Sequence, residues 1–498
     1  MIIKMNNDVS LNEKALELGV IISDRKGPTH LNFTLQLRDE ADISVGEYVE
    51  VPIGTKLIIG RVDLIHAINE AYENPLFIKD HLLREIPLEA RFPTKMMQYR
   101  AAQVRIVGVI DSRGKVNPPN EVPEPGKKVY LADPELLNNF LGLEKDGIFV
   151  GTMYGNSKIK VVLNPKLVIG HHIAVLGATG SGKSYTVGVI IEELLDAGIP
   201  VVVIDPHGEY YGFAYSKDGV THSKYDIYHY RLFDKSGTTE LLRINLNNLN
   251  ADSIAELIGA TDVQADLLFL MVNALRKAKQ KITIKNLLAS VENIASEWNF
   301  AKRTQLALKR RLMLLEEMNI ISEHFDIRDL VHPGALTIVD LSEDIEEKTR
   351  QSLVGILLDN LFKARKNKEI PPLLVVVEES HRFAPQDYEC YSKYMMRKIV
   401  REGRKFGIGL CITSQRLVGL DKDVLSQCGT KFILRIDSKT DLDYIRPFLD
   451  YTSTSDLDRI PYMPNGVAVV TGVAVRAPIV TNIRTRKTKH IGETTISD

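Results

Sequence analysis

Gly177-Ala178-Thr179-Gly180-Ser181-Gly182-Lys183-Ser184 decides the fold of this 498-residue chain. It has the spacing G-x-x-x-x-G-K-[ST], with the apolar run Ile173-Ala174-Val175-Leu176 before it and a helical stretch from Tyr185 to about Ala197 after it. The glycines let successive backbone N–H groups turn inward with no Cβ in the way. The helix start adds the positive end of its dipole. Such a loop cradles phosphates: Lys183 reaches the β- and γ-phosphates of ATP, and the Ser184 hydroxyl ligates Mg2+. All eight residues, with Tyr185 beside them, are candidate nucleotide contacts.

Outward from this loop, short apolar runs repeatedly end in polar residues. Val201-Val202-Val203-Ile204 ends in Asp205, and Leu336-Thr337-Ile338-Val339 in Asp340. Leu373-Leu374-Val375-Val376-Val377 ends in Glu378-Glu379, and Ile408-Gly409-Leu410-Cys411-Ile412 in Thr413-Ser414-Gln415. Runs apolar on both faces and joined by helices predict an α/β fold with a parallel sheet covered on both sides. Ligands of such sheets bind beyond the carboxyl ends of the strands, so these polar residues are expected along one edge. Residues 240–332 interrupt the pattern and read as helical, with Leu306, Leu308, Leu312 and Leu315 on one side and Lys302, Arg303, Lys309, Arg310 and Arg311 on the other. That basic side reads first as a solvated face and second as a DNA contact. From the N-terminus to about residue 115, short β-like runs separated by Gly and Pro predict a small sheet or barrel. Residues 118–126, rich in proline, form a loop.

Hydrolysis needs more than a phosphate cradle. Glu378 and Glu379 follow the most apolar strand and suit two tasks. Glu378 is assigned to the Mg2+ shell and Glu379 to the attacking water, a task glutamate suits because its stem reaches past the metal to the γ-phosphate. Asp205 and the turn after it either supply hydrogen bonds to that shell or hold the turn itself. Gln415 is placed to sense the γ-phosphate. Charge developing on the leaving phosphates calls for a cation, for which Arg382, Arg401 and Arg404 are the candidates, one of them acting across a subunit boundary. The bland alternative for each is a surface ion pair.

Composition sets the frame. The formal net charge is −1, from 63 basic and 64 acidic side chains, so a nucleic-acid surface has to be local, as in the channel of a ring. No apolar segment reaches the length of a membrane helix, and residues 1–15 lack the layout of a signal peptide, so a cytoplasmic protein without membrane partners is expected. Three cysteines without paired spacing argue against a disulfide framework or a zinc site.

The P-loop, IDPHGEY at 204–210, VVVEESHRF at 375–383, REGRKFGIGLCITSQR at 401–416 and PNGVAVVTG at 464–472 together resemble the archaeal HerA branch of the HerA–FtsK superfamily of DNA translocases. The resemblance runs in order along nearly the whole chain. It implies an N-terminal HAS barrel with linker over 1–165, a RecA-like ATPase core over 166–239 and 333–480, a helical-bundle insertion over 240–332 and a basic tail over 481–498. It further implies Mg-ATP as fuel, a homo-hexamer, double-stranded DNA as substrate and a NurA-type nuclease as partner in DNA end resection. By the same pattern Arg459 and Ile460 return over the nucleotide base, and the tail braces a neighbouring subunit, touches DNA or stays unstructured. Two other readings compete: a motor ATPase of a secretion or conjugation system, and a nucleotide-dependent DNA clamp with little turnover.

Overall fold

The computed structural model describes residues 16–491 apart from 24–26, 70–71, 74, 84–93, 234–238, 450–451 and 453. The first strands are β1 (Glu17–Ile22), β2 (Asn32–Leu37), β3 (Tyr48–Ile53), β4 (Lys56–Asn69), β5 (Gln98–Ile110), β6 (Val116–Asn117) and β7 (Lys128–Leu131). Their order is β2-β1-β7-β3-β4-β5-β6, and β2 also pairs with β5, which closes six of them into a barrel. Leu18, Phe33, Leu35, Val49, Ile58 and Val104 fill its own core. Closure leaves these strands no free edge.

The remaining strands are β8 (Ile148–Met153), β9 (Asn156–Leu163), β10 (Ile173–Leu176), β11 (Val201–Asp205), β12 (Ile227–Arg231), β13 (Glu240–Leu241), β14 (Leu336–Asp340), β15 (Leu373–Val377), β16 (Ile408–Ser414), β17 (Thr430–Ile433), β18 (Val467–Gly472) and β19 (Ile479–Ile483). They form a twelve-stranded sheet in the order β13-β12-β14-β11-β15-β16-β10-β17-β18-β19-β8-β9. From β13 to β17 neighbours are parallel; from β17 to β9 they are antiparallel. The segment before the P-loop therefore divides, its last hairpin extending the large sheet rather than the barrel.

Both faces of the parallel part are apolar because both are covered. On β15, Leu373, Val375 and Val377 enter one core and Leu374 and Val376 the other. The first core continues into the helices Asp262–Lys277, Ile284–Glu297 and Lys302–Glu317 of the inserted segment. The second takes Val187, Ile190, Ile191 and Leu194 of the helix Lys183–Asp196, and Tyr48, Leu57 and Ile59 of the barrel. In the helix Lys302–Glu317, Leu308, Leu312 and Leu315 are buried as expected, but Leu306 is 58% exposed. Its two-residue offset from Leu308 turns it some 200° around a helix of 3.6 residues per turn, to the opposite side. Lys309 pairs with Glu292 at 2.7 Å, and Arg311 donates to the Ile258 carbonyl at 2.7 Å, so part of the basic side works within the bundle.

Barrel and sheet are joined by a buried ion pair. Arg61 of β4 lies 2.6 Å from Asp456, and both are almost fully enclosed. Arg459, one turn on, donates to the Val45 carbonyl at 2.8 Å.

Candidate nucleotide site

The carboxyl ends of β10, β11, β15 and β16 meet at a cleft of 270 Å³. Thr179, Gly180, Gly182, Lys183, Ser184, Tyr185, Asp205, Glu378, Glu379 and Gln415 line it, as the sequence led us to expect of one sheet edge. The loop geometry shows why its glycines are needed. Gly182 caps the helix Lys183–Asp196 at φ 101°, a left-handed conformation. A Cβ on Gly177 would stand 2.6 Å from Ser181 Oγ. The loop folds on itself through Ser181, whose hydroxyl donates to the Ala178 carbonyl at 2.7 Å, and Lys183 Nζ donates to the same carbonyl at 3.0 Å. Burial pulls the Lys183 ammonium below its usual pKa, while Glu379, Glu378 and Glu209 oppose that shift.

The two acids differ in environment. Glu378 is enclosed and accepts from the Tyr210 hydroxyl and from Thr413 Oγ1. Burial pushes its carboxyl up to about 7, against those two hydrogen bonds. Glu379 sits at φ 47°, left-handed for a non-glycine residue, and its N–H donates to Thr413 Oγ1 at 3.2 Å. Strain of this kind is characteristic of functional sites. Burial disfavours its charge too, but His381, 3.2 Å away, with Lys183 and His207, outweighs burial and holds the carboxyl below its ordinary value. Glu378 has both oxygens engaged by hydroxyls, so Glu379 is the acid of the pair left to take a water's proton.

Asp205 spends its oxygens on backbone. Oδ1 accepts from the N–H groups of His207 (3.1 Å) and Gly208 (2.9 Å), and Oδ2 from Tyr210 (2.9 Å). It thereby shapes the turn that brings His207, Glu209 and Tyr210 to the cleft. Gln415 accepts from the Thr179 hydroxyl, tying β16 to the P-loop.

The arginines are dispersed. Arg382 forms a two-pronged pair with Glu347, at 3.0 and 2.6 Å. Arg401 pairs with Asp423 at 3.0 Å, and Arg404 lies against Gly170, before β10 begins. Both belong to the helix Tyr391–Phe406, at the end that leads into β16, on the sheet edge away from this chain's own cleft. Arg459 faces the barrel, and neither it nor Ile460 lines the cleft. Their segment still touches the loop further on, where the Gly466 N–H donates to the Ser181 carbonyl at 3.2 Å.

One lining residue has no counterpart in the sequence reading. His490 reaches the cleft and stands edge-on to Tyr185, ring centres 5.6 Å apart. The tail carries it there by docking on the helix Lys183–Asp196 of its own chain. Glu192, wholly buried, accepts from Arg484 Nη1, the N–H groups of Lys487 and Thr488, and the Thr488 hydroxyl. The Arg486 guanidinium lies over the Phe213 ring at 4.4 Å.

Comparison with known proteins places this site in a family. A family model described as "Helicase HerA, central domain" matches residues 148–361. The DNA double-strand break repair helicase HerA of Pyrococcus furiosus is 30% identical over 443 residues, which cover 77% of each chain. The chain belongs to the HerA helicase family. HerA of Sulfolobus acidocaldarius is 27% identical over 89% of each chain, and that of Saccharolobus solfataricus 27% over 91% of this chain and 90% of that one. Among solved structures, VirB4 of Thermoanaerobacter pseudethanolicus aligns with a TM-score of 0.53 and 14% identity, over 69% of this chain and 97% of that one. The plasmid coupling protein TrwB in complex with ADP and Mg2+ gives 0.51 and 15%, over 70% and 92%. These two show the fold, a P-loop ATPase core, and the HerA relatives make the chain an ATPase of the helicase type. No helix among the described residues is long and apolar enough to cross a membrane.

Proposed function

We propose that this HerA-family chain is an ATP-driven translocase of double-stranded DNA, working as a homo-hexameric ring with a NurA-type nuclease in DNA end resection. One observation supports it above the others: the P-loop, the acidic pair and Gln415 converge on a single cleft in a chain similar to DNA double-strand break repair helicases. The cleft suits Mg-ATP. Ser184 and Glu378 offer the hard oxygen donors Mg2+ prefers, and Mg2+ so held neutralises charge on the phosphates. Lys183 and the N–H groups at the helix start bind and orient the triphosphate. Glu379 orients a water and takes its proton. Tyr210 and Thr413 keep Glu378 in place, and Gln415 reads the γ-phosphate through Thr179.

Hydrolysis is completed between subunits. Arg401 and Arg404 sit on the far edge of their own sheet, so stabilising charge comes from a neighbour's arginine, Arg404 first because no carboxylate among the described residues pairs with it. We assign 1–165 to barrel and linker, the linker's hairpin β8–β9 adding two strands to the motor sheet, 166–239 and 333–480 to the motor, and 240–332 to the helical insertion. The barrel has a core of its own and forms the collar on which the nuclease docks. The protein acts in the cytoplasm. Electron micrographs of the protein with duplex DNA and non-hydrolysed ATP analogue test this: six-fold rings threaded by duplex are expected, and monomers without DNA would refute the reading.

A further inference from the structure

Fixing the Glu379 backbone does not fix its carboxylate, which hangs from three rotatable side-chain bonds. Glu379 Oε2 is buried and accepts no hydrogen bond from the described residues in the resting geometry; the nearest partner for its charge is His381 Nδ1, at an ion-pair distance of 3.2 Å. The same nitrogen is 3.2 Å from Ser414 Oγ. Ser414 spends its proton on the Arg416 carbonyl at 3.0 Å, so its oxygen is left to accept. Nδ1 therefore carries a hydrogen, given to Ser414 Oγ, and a small turn of the ring or of the carboxylate brings the same N–H onto Glu379 Oε2. Other charges face Glu379 from the P-loop helix (Lys183), the turn after β11 (His207) and its own strand (Glu378). None of these has a bond to it among the contacts described above.

We propose that His381 is a positioning residue for hydrolysis, holding the Glu379 carboxylate toward the cleft and fixing it to the end of β16. The end of β16 is well suited to this. Thr413 bonds Glu378 and the Glu379 N–H, Ser414 faces His381, and Gln415 bonds the P-loop Thr179. Three consecutive residues, the last two of β16 and the one that follows it, thus set the acids and touch the phosphate loop. A nucleotide that moves Gln415 moves the anchor of Glu379 with it. His381 itself does not line the cleft and acts on substrate through Glu379.

The inference rests on the ATPase reading above and is tested with the full chain and Mg-ATP. In His381→Ala the carboxylate is free to swing, and a reacting group misplaced by about 1 Å costs on the order of 10²-fold in kcat. KM for ATP should stay within about twofold, since the phosphate contacts are intact. Asn carries its N–H close to the position of Nδ1, so His381→Asn should recover about tenfold or more of the lost rate. Gln carries its N–H at the position of Nε2, so His381→Gln should not. The Asn and Gln pair decides the matter even where the alanine variant folds poorly. A kcat for His381→Ala near the wild-type value, or equal losses in the Asn and Gln variants, would overturn the proposal while leaving the ATPase reading intact. Absence of ATP hydrolysis by the wild type would overturn both.

Discussion

Glu192→Ala removes a carboxylate that is 0% exposed and holds the tail to the P-loop helix. Its Oε1 accepts from the N–H groups of Lys487 and Thr488, each at 2.9 Å, and from Thr488 Oγ1 at 2.7 Å; its Oε2 accepts from Arg484 Nη1 at 2.8 Å. Alanine leaves two backbone donors, a hydroxyl and part of a guanidinium unmatched. Each buried donor left unsatisfied costs about 1–3 kcal/mol. The sum is not reached, because the segment 484–491 can peel away from the helix and give its donors to water. Arg484 also keeps its pair with Glu193 at 2.7 Å. We therefore expect about 3 kcal/mol, lost locally rather than globally. At 1.4 kcal/mol per tenfold, amide exchange across 484–491 should rise by about a hundredfold, while β10, β15 and β16 keep their protection. Nucleotide affinity should also fall, since His490 leaves the cleft and no longer meets Tyr185. Unchanged exchange in the tail would show that Glu192 does not hold it and would refute the reasoning.

Three further outcomes follow from the site and its frame. Glu379→Gln should bind ATP with near-normal affinity and lose about 10²–10⁴-fold in turnover, because an amide does not accept the water's proton; near-normal turnover in a steady-state assay would move the role to Glu378. Arg61→Ala should cost about 3–5 kcal/mol in urea unfolding, because it strips Asp456 of its main partner at the barrel–sheet junction; a loss below about 1 kcal/mol, as for a surface pair, would show the junction held by packing alone. Mixing Arg404→Ala with Lys183→Ala protein should recover ATPase activity that neither has alone, and the same mixture with Arg401→Ala should recover less; rescue by neither removes the trans assignment.

Where function rests on local order, the sequence was readable. The run Leu373–Val377 is apolar on both faces because two cores cover it, and the acids after it fall at the sheet edge by topology alone. The P-loop is legible because its glycines answer a backbone requirement within eight residues. Contacts between distant segments were not legible. Arg459 was expected over the base and instead grips the barrel, a choice that depends on where Val45 lies in space. The tail read as a charge run of open purpose. Its partners, Glu192, Glu193 and Asp196, stand in plain sequence, but only the β18–β19 return brings them opposite Arg484 and Lys487. His490 carried no local signal at all. The hairpin β8–β9 joins the motor sheet through β19, more than three hundred residues away, which no local pattern announces.

We propose that the cleft burns ATP to move duplex DNA. The most direct test is the steady-state ATPase rate of the full chain with and without linear double-stranded DNA, with Lys183→Ala alongside. Hydrolysis should rise several-fold when duplex is added and be absent from the Lys183 variant in both conditions. Vigorous Lys183-dependent hydrolysis that ignores duplex DNA at every concentration would contradict it.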